Sequence, residues 1–185
     1  MNEGDWWTVD AVKRQSISRK LLDDLRARLD AAPPNIETCV DALLRVATTL
    51  GFTGVALWFV TEEGTLRNRG FTSVAEMDLF EAQSRELEFR PGEGMPGRTF
   101  LHGVTEWIPN VIRDDNFPRL RGAIRDLVRT VVAFPALKDG RPVAVVEMFS
   151  RSVRERDADA VDLFTTLGEQ MGTYMASLSE LTQGV

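Results

Sequence analysis

Two adjacent apolar runs limit what this chain can fold into more than any other feature. Residues 130–137 read Thr-Val-Val-Ala-Phe-Pro-Ala-Leu and residues 142–150 read Pro-Val-Ala-Val-Val-Glu-Met-Phe-Ser. Neither alternates with polar residues, so each is expected to be a strand buried on both faces. Between them stands Asp139-Gly140, a pair suited to a tight hairpin turn, where both positions take positive φ. The pair therefore belongs inside a sheet that is covered on both sides. Residues 52–60 form a third dense run of strand formers. Glu62-Glu63-Gly64 reads as a turn, and the more polar strand 66–71 returns nearer an edge. Residues 106–108 make a further short strand.

Helical spacing fills the rest of the chain. After a short polar start, Val12, Ile17, Leu21, Leu25 and Leu29 fall near one stripe, and Pro33-Pro34 stops that helix. Asn35 is a candidate N-cap for a second helix with an apolar face of Ile36, Val40, Leu43, Ala47 and Leu50, ended by Gly51. Helices are expected over 74–87 and 119–128, the latter with Leu120, Ile124 and Leu127 on its apolar face. A short helical turn is expected over 98–102, after a glycine-rich loop at 91–97. Asp157 is a candidate N-cap for a long helix to residue 182. There Phe164, Leu167, Met171, Tyr174, Leu178 and Leu181 recur at spacings of three and four, as in a helix–helix seam. The order of elements describes an α+β fold around a central antiparallel sheet. It divides into an N-terminal helical extension (1–34), a core (35–156) and a long C-terminal helix (157–185).

Composition removes several function classes. The chain has 185 residues, enough for one domain with its own core, and a net charge of −6, which disfavours nucleic acid as a partner. No apolar run is long enough to span a bilayer, and the acidic N-terminus lacks a secretory leader, so a cytoplasmic protein without membrane contact is expected. A single cysteine, Cys39, excludes an internal disulfide and a multi-cysteine metal site. It falls on an apolar helix face and reads as a buried thiol. A single histidine, His102, leaves no second base for a triad and no ligand set for catalytic zinc. No catalytic and no metal-binding residues are assigned, and the chain is expected not to be an enzyme.

Several strings, in order, carry a resemblance. They are residues 89–98 (Phe-Arg-Pro-Gly-Glu-Gly-Met-Pro-Gly-Arg), 107–111 (Trp-Ile-Pro-Asn-Val), 115–119 (Asp-Asn-Phe-Pro-Arg), 133–135 (Ala-Phe-Pro), 145–150 (Val-Val-Glu-Met-Phe-Ser) and 168–172 (Gly-Glu-Gln-Met-Gly). Over about residues 36–178 the chain resembles a GAF domain, a small-molecule-sensing relative of the PAS domain, of the kind found in bacterial sensor kinases and two-component signalling proteins. The resemblance implies a six-stranded antiparallel sheet with helices from both chain ends on one face. It implies that a crossover, about 75–128, encloses a pocket on the other. Ligands across the family are diverse, so no cofactor is named. Many members carry Asp where this chain has Asn110. Asn110 and Phe117 match part of a cyclic-nucleotide signature, but Val111 replaces its lysine. The branch that reduces free methionine sulfoxide needs more than one thiol.

Set on that frame, a few residues are candidates for ligand binding. Arg113, Arg119, Arg121, Arg125 and Arg129 interleave with aspartates, either as a solvated face or as an anion-recognition site. Arg121 and Arg125 are the expected inward members. Glu147, inside a strand, needs a partner if buried, and Arg98 is the expected one. Among the aromatics Trp58, Phe100, Trp107, Phe117 and Phe134, either ordinary core or pocket wall, Trp107 and Phe117 are placed to flank a planar ligand. Arg98, Trp107, Asn110, Phe117, Arg121, Arg125, Phe134 and Glu147 thus form the candidate set. The expected function is a regulatory sensor for a small ligand, an anion being one candidate class. It would signal through terminal-helix packing in a homodimer to an output domain or partner protein. The alternative is a ligand-free dimerisation or interaction module.

Overall fold

The computed structural model describes residues 6–183. The acidic start at 1–5 lies outside the described residues. The order is α1 (Ala11–Asp30), α2 (Ile36–Thr49), β1 (Gly54–Val60), β2 (Leu66–Ser73), α3 (Asp78–Glu86), β3 (Glu88–Phe89), α4 (Gly94–His102), β4 (Glu106–Ile108), a 3-10 turn (Val111–Arg113), α5 (Leu120–Arg125), β5 (Thr130–Lys138), β6 (Arg141–Ser150) and α6 (Ala158–Gln183). Local signals act where the sequence puts them. Asn35 accepts a hydrogen bond from the Thr38 amide at 2.7 Å, and Asp157 accepts one from the Ala160 amide at 3.0 Å, so both cap their helices. Asp139 and Gly140 take φ of 53° and 73°, as the hairpin requires.

The six strands pair antiparallel in the order β3-β2-β1-β6-β5-β4. The long apolar strands β1, β6 and β5 occupy the centre, and the two short ones cap the edges. Alternation along them builds two layers. Val55, Leu57, Val132, Phe134, Ala144, Val146 and Met148 face α1, α2 and α6. Ala56, Trp58, Val131, Ala133, Val145 and Phe149 face the crossover, where Met77, Phe80, Phe89, Met95 and Phe117 cover them. Among the described residues no helix is long and apolar enough to cross a membrane.

Several expectations change, among them the loop expected at 91–97, whose last four residues already belong to α4. The helix at 119–128 shortens to α5, and Ile124 and Leu127 are exposed, while Gly122, Ala123, Asp126 and Val128 are buried. Close approach to α3 is the reason. A β-carbon on Gly122 would overlap the Gln83 side chain, so the small residues turn inward and the large ones turn out. Val12, expected in the α1 stripe, is 80% exposed. The seam along α6 is spent inside the chain: Phe164, Leu167, Met171 and Leu178 are fully buried in the helical layer against β5, β6 and α1. Tyr174 is half-buried, and its hydroxyl accepts from the Asn35 amide at 3.1 Å. Only Leu181 of that series is exposed.

Gly168 and Gly172 explain how close α6 lies. Added β-carbons there would overlap the carbonyl oxygens of Pro135 and Leu137 on β5. Gly172→Ala is expected to destabilise the fold by about 3 kcal/mol, the upper range for overpacking, read from the urea midpoint. Leu178→Glu is expected to lower the unfolding midpoint rather than only weaken a dimer, because it places a charge in the layer between α6 and the sheet.

Candidate functional site

Glu147 lies at the middle of β6 on the crossover side, and it is fully buried. Its cross-strand neighbours are Ala56 on β1 and Ala133 on β5. Two alanines beside it leave room above the sheet for one large head group, and Arg119 fills it. Arg119 precedes α5 as its N-cap residue and is 1% exposed. Its Nη2 donates to Glu147 Oε1, and its Nη1 donates to Ser84 Oγ at 2.9 Å. Ser84 in turn donates to the Phe80 carbonyl at 2.7 Å. The other carboxylate oxygen of Glu147 accepts from Trp58 Nε1 at 3.2 Å.

Four rings surround the guanidinium. Its central carbon lies 4.7 Å from the Phe80 centroid, 5.0 Å from Trp58, 5.3 Å from Phe117 and 5.5 Å from Phe89. Ring faces attract cations, and the attraction strengthens where water is excluded. Two polar atoms in the same layer are left over. A bulge after Leu57 sets Asn68 opposite Trp58. The Asn68 amide nitrogen donates to Leu57 and Gly70, but its Oδ1 has no partner. Thr99, one turn after Met95 on α4, is fully buried with its hydroxyl unpartnered.

A second network closes the crossover from outside. Arg98 donates to Glu106 at 3.1 Å, to Asp114 at 3.0 Å and to the Asn116 carbonyl at 2.8 Å. The Asn116 side chain accepts from the Gly94 amide at 2.9 Å and donates to the Gly92 carbonyl at 3.1 Å. His102 shares Glu106 at 2.9 Å. The glycines at 92 and 94 have φ of 87° and 59°, which lets the loop turn tightly enough to meet Asn116.

The structure rearranges the candidate set. Glu147 is buried and paired as expected, but its partner is Arg119, not Arg98, which is tied to the outer network. Arg121 and Arg125 are exposed, because the inward face of α5 is taken by Gly122, Ala123 and Asp126. Phe117 does line the site, parallel to Phe80 at 6.3 Å. Trp107 and Phe134 belong to the opposite layer. Trp107 donates to the Arg154 carbonyl at 2.9 Å and meets Phe52 and Phe164, while Phe134 stacks on Phe164 at 5.4 Å. Trp107 and Phe117 are therefore separated by the sheet and cannot flank one ligand. Asn110 caps the 3-10 turn, accepting from the Ile112 amide at 3.2 Å. Phe80, Phe89, Ser84, Asn68 and Thr99 were missed. The alanines opposite Glu147 are the signal that could have marked the space.

Arg119 and Glu147 each need the other, since a buried charge without its partner is expensive. Arg119→Met alone and Glu147→Leu alone are each expected to cost about 3–5 kcal/mol in chemical denaturation. The double replacement is expected to recover most of that loss. Cys39 lies in α2, on the far side of the sheet from Glu147, and burial pushes its thiol up to about 12. It is therefore protonated at neutral pH. A thiol reagent at pH 8 is expected to leave it unmodified in the native protein and to label it fully after unfolding.

The fold has counterparts among known proteins. The family model described as "GAF domain" matches residues 34–176. Protein NLP1 of Arabidopsis thaliana is 26% identical over 146 residues, which cover 73% of this chain and 15% of that protein. The chain spans 15% or less of the length of the plant relatives it matches. The GAF domain of a phosphoenolpyruvate-protein phosphotransferase from Coxiella burnetii superposes with a TM-score of 0.72 at 14% identity, covering 91% of this chain and 97% of that one. A free methionine-R-sulfoxide reductase from Neisseria meningitidis, in complex with its substrate, gives 0.70 at 15% identity, covering 91% and 93%. At such identities these structures carry the fold alone. With the family match spanning both layers and every strand of the sheet, the chain belongs to the GAF domain family.

Proposed function

We propose that this chain is a regulatory sensor domain of a longer signalling protein, one that encloses a small charged ligand beneath the crossover. The observation that carries this reading is the Arg119–Glu147 pair, set among rings at the centre of an apolar layer. A buried pair contributes little stability over an apolar replacement, so recognition is a better reason for it than folding. The spare atoms Asn68 Oδ1 and Thr99 Oγ1 add to it. Each unsatisfied group costs about 1–3 kcal/mol, which a bound polar molecule would offset.

The path outward runs through β6. Glu147 faces the site, while its neighbours Val146 and Met148 face the helical layer with Phe164, Leu167 and Met171. A ligand that shifts Glu147 therefore shifts the seat of α6, and a two-state change in the terminal helices follows from its differential affinity. Two copies pair through those helices by their outward surfaces, around Leu181 at the end of α6, since the inner seam is already used. An output domain or partner protein reads the change, in the cytoplasm, and no enzymatic step is required of this domain.

One observation favours a second reading, a ligand-free interaction module: the rings, Ser84 and Glu147 already satisfy Arg119. Native mass spectrometry separates the two. The sensor reading expects a purified protein that carries a retained small molecule, released on unfolding. Protein mass alone, with no stabilisation by any member of a metabolite library in thermal unfolding, supports the module. Leu181→Glu is expected to lower dimer affinity in sedimentation at unchanged thermal midpoint.

A further inference from the structure

We infer that the ligand of this site is a cation, an alkylguanidinium or alkylammonium, and that Arg119 is an internal plug standing in its place. The inference rests on the sensor reading above and assigns the ligand's class. Its basis is the difference between the two halves of the buried pair. Glu147 cannot leave. It sits in mid-strand on β6, bonded on both sides, with β1 and β5 as neighbours. Arg119 stands where loop 114–119 enters a helix of only six residues. That loop is held by one buried side chain, Phe117, and by the polar contacts of Arg98 and Asn116 near the surface. When the pair separates, it is the arginine that leaves, and the carboxylate moves only as far as β6 itself shifts.

What stays behind is a receptor for positive charge. The faces of Trp58, Phe80 and Phe89 line it, Glu147 supplies the counter-charge and Ser84 Oγ supplies an acceptor. Asn68 Oδ1, also an acceptor, is a buried side-chain oxygen without a donor. An incoming cation keeps the buried site neutral and inherits these contacts. An incoming anion would meet Glu147 and the negative faces of the rings. Because the plug must leave first, the apparent affinity is reduced by the fraction of molecules in which Arg119 is out. The site is thus held shut until the cation is abundant, and release of Arg119 frees the start of α5 from Glu147.

The test uses the whole chain and four probes: ethylguanidinium, n-propylammonium, propionate and ethanesulfonate. The readout is the indole N–H resonance of Trp58, which is bonded to Glu147, assigned through its loss in Trp58→Phe. Both cations are expected to shift it saturably in the wild-type protein, and neither anion is. Arg119→Ala is expected to bind ethylguanidinium at least about tenfold more tightly, since no plug competes. Glu147→Gln is expected to lose the response. Where Arg119→Ala is unfolded by itself, the cations are expected to refold it and the anions are not. A response to anions alone overturns the inference and leaves the sensor reading standing. Equal cation affinity in wild type and Arg119→Ala overturns the plug. Silence towards all four in both proteins overturns the inference as well, and a retained molecule of another class in native mass spectra would then still uphold the sensor reading.

Discussion

The ion pair between Arg119 and Glu147 is the interaction around which the crossover layer is arranged. A glutamate in the middle of a central strand has no water to turn to. Its charge has to be met from above the sheet, and the chain meets it with one arginine delivered from a loop. That single requirement accounts for several otherwise unrelated residues. Ala56 and Ala133, the cross-strand neighbours of Glu147, are small where a guanidinium has to reach the carboxylate. Ser84 faces inward from α3 because the second nitrogen of the fork needs an acceptor. Trp58 donates to the carboxylate oxygen that Arg119 leaves free.

The sheet connects this layer to the other. Alternation along β6 puts Glu147 on one face and Val146 and Met148 on the other, so any movement of the carboxylate reaches the packing of α6 through one strand. The glycines of α6 make that packing close, with no side chain between helix and strand at two positions. Close-packed interfaces respond to small displacements by changing state rather than by yielding gradually. The geometry therefore suits a domain that converts an event in one layer into a rearrangement in the other.

Legibility was uneven, for physical reasons. The helix caps at Asn35 and Asp157, the turn at Asp139-Gly140 and the central strands were readable, since each depends on residues close in sequence. Glu147 was readable as a buried charge needing a partner. Which arginine would supply it was not. Five arginines within seventeen residues have the same chemistry, and the choice depends on the rotation of a six-residue helix. Trp107 and Phe134 looked like pocket aromatics, yet each side of a strand is equally apolar here, and only the register shows which layer receives them. The α6 pattern was correctly periodic, but periodicity marks a buried face without naming what buries it.

The sequence by itself determined the α+β class, the doubly covered sheet and the need for a cation near Glu147. Hydrophobic period, turn chemistry and the cost of an isolated buried charge are local or additive properties. The tertiary structure decided the identity of that cation, the aromatic walls around it and the use of the long helix as cover for the sheet. Those outcomes depend on how elements far apart in sequence fit against one another. Gly122 against α3 turns Arg121 and Arg125 outward, and the same fit leaves Arg119, one residue before the helix, pointing in.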